Sequence, residues 1–392
     1  MSNTSVPLAW LPAELARLEQ SGLRRQRRQV TPLPGGWCEV DGRRLRNFAS
    51  NDYLNLAYDE RVRAAAKETL EVSVGATASA LVCGRTDWHV RLERAIAEFE
   101  GTASAVLFPT GFAANVGTLA ALIRPEDVVF CDRFNHASLI DGCRQSRAKF
   151  RVYRHDELER LDQQLQATPT TTRQWIVTDA VFSMDGDVAP LPELCDIAER
   201  SGAAVIVDEA HGTGVFGELG RGVAEFTNTE HRVAVRVGTL SKAIGTIGGF
   251  VAGSQALTDW LWNTARSQVF STALPPVVCA AATASIEIIR TEPQRRQRLH
   301  ALCSQLRSEL SQRGIEPIAN SVGPIIPIVI GDPERTVAVA RELERRGFLV
   351  AAIRPPTVPP GTSRLRLSLT TAFDASDIVA LANALSEVLG AT

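Results

Sequence analysis

The sequence predicts an α/β protein in which a mainly parallel sheet is covered on both faces by helices and is followed by a second, smaller α/β domain. Three features carry that expectation. Short strand-like runs recur at 105–108, 128–130, 175–177, 204–207, 233–237 and 249–251. Helical patterns lie between many of them, at 90–99, 112–123 and 191–201. Most of the strand-like runs are continuously apolar instead of alternating, as a strand buried on both faces requires.

Taken in order, residues 1–50 read as an arm. Leu11, Leu15 and Leu18 give one apolar helix face, and a hairpin follows at 37–40 and 45–48, joined by Asp41-Gly42. Such an arm needs a surface to lean on. Residues 51–290 carry the alternating strands and helices and form the large domain. From 291 onward a helix rich in Arg and Gln leads into a smaller βα unit ending at Leu389, so 291–392 is assigned as the second domain. Ligands of parallel sheets sit beyond the carboxyl ends of the strands, and the residues there are the first to examine.

The bulk numbers narrow the classes. A chain of 392 residues with 45% hydrophobic and 22% charged residues is ordinary globular material for two or three domains. A formal net charge of −2 leaves no nucleic-acid or membrane footprint. The basic run Arg24, Arg25, Arg27, Arg28 is read as a solvated helix end. Seven cysteines without a Cys-x-x-Cys pair read as reduced, mostly packed thiols. Residues 1–12 lack the pattern of a secretory leader and no run reaches eighteen apolar residues, so the cytoplasm is the expected compartment.

Asp208 follows the strand at 204–207, and His211 comes three residues later. Alone, that segment admits structural and functional readings equally. Gly212, Gly214 and Gly217 match the dinucleotide fingerprint in letters, but no apolar helix follows. Asp208-Glu209-Ala210-His211 spells a helicase motif, but the chain has no phosphate-binding Gly-x-x-x-x-Gly-Lys loop. A metal at Asp208 and His211 would lack a third ligand, so none is expected. Lys242 changes the balance: it closes Thr239-Leu240-Ser241-Lys242 after a strand and before a glycine-rich turn. A lysine held partly desolvated in a cleft is the type that forms Schiff bases.

Asp-x-x-His after one strand, with Thr-x-x-Lys about thirty residues later, resembles the fold-type I enzymes that depend on pyridoxal 5'-phosphate (PLP). More narrowly, the chain resembles the α-oxoamine synthases over nearly its whole length. The shared pieces are Asn51-Asp52-Tyr53-Leu54, Phe108-Pro109-Thr110-Gly111-Phe112-Ala113-Ala114-Asn115, Asn135-His136-Ala137-Ser138, Phe182-Ser183-Met184-Asp185-Gly186-Asp187 and Gly238-Thr239-Leu240-Ser241-Lys242. The resemblance implies a seven-stranded, mainly parallel sheet in the large domain, a smaller C-terminal α/β domain, and a homodimer with its site near the interface. The stretch 353–367 resembles the members that join L-alanine to a pimeloyl thioester in biotin synthesis, the acyl group arriving on coenzyme A or on an acyl carrier protein. Members using glycine or serine, and a non-catalytic dimer partner of the same fold, are the alternatives.

By this resemblance Lys242 binds the cofactor aldehyde and removes the alanine Cα proton. Asp208 pairs with the pyridine nitrogen and keeps it protonated. His136 stacks on the ring and donates toward the thioester carbonyl, while His211 and Ser183 reach the phenolic oxygen. Thr239 contributes a hydroxyl to the phosphate, and Ser271 or Thr272 adds one from a neighbouring subunit. Gly111 and Phe112 open a helix whose free N–H groups suit the same anion on physical grounds. Arg354 is expected to grip the alanine carboxylate through its planar guanidinium, assisted by Asn51, and Arg24 and Thr357 to contact substrate. Thr77 and Ala78, where glycines are usual, Asn55, where glycine is common, and Phe373, where histidine is frequent, depart from the family pattern and bear on acyl-chain preference.

Overall fold

A computed structural model describes residues 7–390. The first half of the stretch read for a leader lies outside them. In the arm, the helix Leu11–Gln20 buries no side chain, and Leu11, Leu15 and Leu18 stay exposed on the single chain. Strands β1 (Val30–Leu33), β2 (Trp37–Val40) and β3 (Arg43–Asn47) pair antiparallel. Asp41 and Gly42 between β2 and β3 both take positive φ, which the right-handed twist of a tight hairpin demands.

The central sheet has seven strands: β4 (Ser104–Phe108), β5 (Val128–Asp132), β6 (Lys149–Tyr153), β7 (Gln174–Asp179), β8 (Ala204–Asp208), β9 (Val235–Thr239) and β10 (Gly249–Gly253), in the order β4-β10-β9-β8-β7-β5-β6. All neighbours are parallel except β10, which runs antiparallel to β4 and β9. Burial on both faces explains the unbroken apolar runs. Val205 and Val207 enter the large core on one side of β8, and Ile206 enters the core on the other. The carboxyl ends of β5, β7, β8 and β9 bring Asp132, Asp179, Asp208 and Thr239 to one rim, with Asp179 and Asp208 directly opposite each other.

Four more strands follow: β11 (Ile325–Gly331), β12 (Phe348–Leu349), β13 (Ala351–Ile353) and β14 (Ser363–Ser368). The order β11-β14-β13 makes a small antiparallel sheet, while β12 pairs in parallel with β3. The arm therefore leans on the C-terminal part of the chain. Arg28 reinforces this seam with a bidentate contact to Glu344 at 2.8 Å, and the helix stops at Gln20, so the exposed basic run is not a helix end but a stretch of irregular chain beyond it. Phe373 stacks on Phe48 with centroids 4.1 Å apart, both fully buried. Its place is in the core under the arm.

All seven cysteines are free, and six of them are buried. Among the described residues no helix is long and apolar enough to cross a membrane.

Candidate active site

Beyond the carboxyl ends of β5, β7, β8 and β9 lies a cavity of about 210 Å³. Gly111, Phe112, His136, Ser183, Asp208, His211, Thr239 and Lys242 all line it, although 131 positions separate the first from the last. The antiparallel β10 lies between β4 and β9 and brings the segments that follow them together. Its first residue, Gly249, pairs with both Thr239 and Phe108, and a Cβ there would lie 2.5 Å from the Thr110 carbonyl. Because Gly249 has no side chain, the 109–111 turn can cross the strand and bring Gly111 against Thr239. Thr110 caps the helix Gly111–Leu122, accepting from the Ala113 N–H at 3.0 Å, while its carbonyl accepts from Ala114. The amides of Gly111 and Phe112, at the positive end of the helix dipole, are left for a ligand. The Thr239 and Ser241 hydroxyls, 2.8 Å apart, adjoin them.

Asp208 is fixed by two donors: the Ala210 N–H at 2.7 Å and the Asn115 amide at 2.6 Å. The second N–H of Asn115 goes to Ser138 Oγ at 2.9 Å. Ser138 Oγ–H is thereby turned to His136 Nδ1, 2.7 Å away. Burial holds His136 below its ordinary pKa, Lys242 adding to the effect against the pull of Asp208. The neutral ring accepts on Nδ1 and carries its proton on Nε2. Asp179 accepts the His136 backbone N–H at 2.6 Å, and burial followed by the Asp208 charge raises the Asp179 carboxyl well above its usual range.

His211 repeats the pattern. Its Nδ1 lies 2.7 Å from the Tyr53 hydroxyl, and burial keeps that phenol protonated. Burial, then the cationic neighbours Lys242 and Arg366, push the imidazole well below its ordinary pKa. Two neutral imidazoles therefore face the cavity, and His136, whose Nδ1 also accepts from the Ser138 N–H, offers it an Nε2–H donor. Lys242 sits in the loop between β9 and β10, where its carbonyl accepts from the Gly245 N–H at 2.8 Å. Gly245 has φ +76° and would place a Cβ 2.5 Å from the Ala57 amide, so no other residue closes this turn without displacement. Burial lowers the Lys242 pKa, outweighing Asp208 and Asp179, and favours the free amine.

Other expected residues fall elsewhere. Arg354 donates to the Gly22 carbonyl at the arm seam, Arg24 pairs with Glu19, and Thr357 accepts from Arg25 at 3.2 Å. None of the three lines the cavity. Ser271 and Thr272 line a separate, smaller pocket with His89 and Trp262. Asn51 lies beside the cavity through its contacts with Tyr53 and with Arg366, whose Nη1 donates to Asn51 Oδ1 at 3.1 Å. Sequence reasoning missed Arg366. From β14 this buried side chain also donates to the Ser183 carbonyl at 2.5 Å, and its charge reaches Lys242 and His211. Arginines at 364 and 366 alternating with Leu365 and Leu367 in one short strand were the available signal. Asn115 and Tyr53 stand inside the quoted motifs but had been given no role.

The donor set fits PLP: an amine for the aldehyde, a carboxylate at the end of β8 for the ring nitrogen, and a helix N-terminus with hydroxyls for the phosphate. Among the described residues no cluster of His, Cys, Asp or Glu is suited to hold a metal.

The aminotransferase class I and II model matches residues 43–385. An 8-amino-7-oxononanoate synthase of Anaeromyxobacter dehalogenans is 47% identical over 383 residues, 97% of this chain and 96% of that one. The 8-amino-7-oxononanoate synthase 2 of Bacillus subtilis is 43% identical over 371 residues, covering 94% and 95% respectively. Among solved structures, a serine palmitoyltransferase variant from S. paucimobilis with PLP bound superposes with a TM-score of 0.93 at 31% identity, covering 100% of this chain and 99% of that one.

Proposed function

The chain belongs to the aminotransferase class I and II family, and from that premise we propose that it joins L-alanine to a pimeloyl thioester with loss of carbon dioxide, forming 8-amino-7-oxononanoate for biotin synthesis. The carrying observation is the cavity, where an amine biased toward its neutral form shares one space with a fixed carboxylate and two neutral imidazoles. Relatives named 8-amino-7-oxononanoate synthase match over nearly the full chain at higher identity than the serine palmitoyltransferase.

The cofactor is PLP. Once bound, it supplies an aldehyde carbon and a ring that draws electron density from the amino-acid Cα. The chain does the rest. We assign Lys242 to hold that carbon and then to take the alanine Cα proton. Asp208 keeps the ring nitrogen cationic, and the Gly111 and Phe112 amides with Thr239 hold the phosphate, joined by Thr272 of a neighbouring subunit. His136 packs on the ring and turns Nε2–H toward the thioester carbonyl, while His211 and Ser183 serve the phenolic oxygen. The alanine carboxylate goes to Arg366 with Asn51, in place of Arg354, because the Arg366 guanidinium is buried and its charge reaches Lys242. Arg24, Arg354 and Thr357, near the arm seam, are assigned to the acyl end.

A homodimer, a cytoplasmic location, an acyl donor on coenzyme A or acyl carrier protein, and division at 50 and 290 into arm, large and small domains complete the reading. Borohydride trapping with PLP, peptide mapping, and turnover of alanine, glycine and serine against pimeloyl and palmitoyl thioesters test it. An adduct at Lys242 and fastest turnover of alanine with the pimeloyl thioester are expected. An adduct elsewhere, or preference for serine with the palmitoyl thioester, overturns it.

A further inference from the structure

His155 follows β6 and lies outside the lining of the Lys242 cavity. Two rings flank its own: Phe134, with centroids 5.6 Å apart, and Phe182, at 4.5 Å. Two carboxylates meet its nitrogens, Asp132 at 3.2 Å from Nδ1 and Asp187 at 3.2 Å from Nε2. The four neighbours come in pairs. Asp132 ends β5 and Phe134 lies in the loop that follows, while Phe182 and Asp187 belong to the loop after β7, so each segment presents one ring and one carboxylate to a single imidazole. The first loop ends at His136 and the second contains Ser183, both of which line the cavity.

Each loop is tied internally. Asp132 Oδ1 accepts the Phe134 N–H at 2.9 Å, and Phe182 and Asp187 close the second loop with a backbone bond of 3.0 Å. A change at the imidazole therefore shifts whole loops. With the Asp132 side chain fully buried, an uncharged ring would leave a carboxylate without a counter-ion.

We propose that His155 is a positioning residue, an imidazolium clamp that sets the spacing between the loop bearing His136 and the loop bearing Ser183. Burial opposes the charge, but the contacts with Asp132 and Asp187 outweigh it and raise the pKa to about 10. The proposal rests on reading the cavity as the PLP site.

The test compares wild type with His155→Ala, His155→Phe and Asp187→Asn, using the circular dichroism of the PLP visible band, kcat, and the melting temperature of the cofactor-free proteins. Hydrogen exchange in the two loops of cofactor-free protein reads the spacing without PLP. His155→Ala is expected to halve the dichroic band or reverse its sign, to lower kcat on the order of 10²-fold, as small misplacements do, and to speed exchange in both loops. Free imidazole restores all three. His155→Phe keeps the ring contacts and stays defective with or without imidazole, while Asp187→Asn shows a smaller effect of the same sign. A folded His155→Ala protein with unaltered dichroism and exchange overturns the clamp, as does a defect that follows melting temperature across the variants and ignores imidazole. If wild type gains no visible band with PLP, the cofactor reading fails, and the exchange data alone decide the clamp.

Discussion

Asn115 donates to Asp208 at 2.6 Å and to Ser138 at 2.9 Å, so a residue 93 positions upstream orients the cavity carboxylate and, through Ser138, the proton of His136. Asn115→Leu deprives both acceptors of a buried donor. The expected cost is about 1–3 kcal/mol of stability, with a fall in kcat because His136 no longer holds one tautomer. Thermal melts and steady-state turnover check this, and wild-type values in both would contradict the network.

Lys242→Ala removes an amine whose charged form burial disfavours. A base whose folded pKa is depressed weakens the fold below its unfolded pKa, and that penalty shrinks as pH rises. Without PLP, the variant should melt at or above the wild-type temperature near pH 7. It should also form no borohydride-stable adduct and no product. A lower melting temperature would show that the lysine stabilises the fold after all.

Much of this site was legible because its parts are local. Asp208 closes a strand whose two-sided burial writes an apolar run, Lys242 stands just beyond the next strand, and Gly111 opens a helix shortly after β4. β6 escaped notice because it is an edge strand: Lys149 and Arg151 interrupt its apolar residues, as edges commonly do to avoid pairing. The antiparallel setting of β10 left no mark in its own residues, since both of its faces are buried like those of its neighbours. Arg354 and Arg366 differ by twelve positions and share a residue type. Which of them turns inward depends on strand pairing in the small sheet, where Arg366 opposes Pro327 and Ala351.

His155 gives the fold a pH dependence of definite sign. Its folded pKa, near 10, stands above its ordinary value because Asp132 and Asp187 outweigh burial. The stabilisation is fully present below the ordinary histidine pKa of about 6.5 and is lost as pH rises through about 10. The melting-temperature difference between wild type and His155→Gln should therefore be largest near pH 6 and narrow toward pH 10 and above. A difference that stays constant across this range would mean that the ring is held uncharged.

Thr77 has φ +59° at an exposed position, a left-handed backbone that a β-branched residue tolerates poorly. Relief of that strain is worth about 1–2 kcal/mol, and the extra freedom of an unfolded glycine takes back roughly 0.5–1 kcal/mol. Thr77→Gly should thus stabilise slightly, by up to about 1.5 kcal/mol. Chemical denaturation measures this, and a destabilised variant would mean that the Thr77 hydroxyl contact with the Ala76 carbonyl at 2.8 Å outweighs the strain.

Arg366 and Arg354 make opposite predictions for the alanine carboxylate. Arg366 is buried, ties Asn51 to the Ser183 carbonyl, and lies close enough for its charge to depress Lys242. Arg354 donates one N–H to the Gly22 carbonyl, at the seam with the arm, and does not line the cavity. Arg366→Ala should raise the KM for alanine by roughly 10²-fold, the scale of losing one partner of a desolvated charge pair. Arg354→Ala should leave that KM within a few-fold and act on the thioester instead. Arg366→Lys should recover little, because an ammonium offers no planar pair of N–H groups to a carboxylate. Since Arg366 also braces the Ser183 loop, the melting temperature of each variant has to be read beside its kinetics. A larger alanine KM in Arg354→Ala than in Arg366→Ala, with both proteins folded, would return the carboxylate to the arm seam.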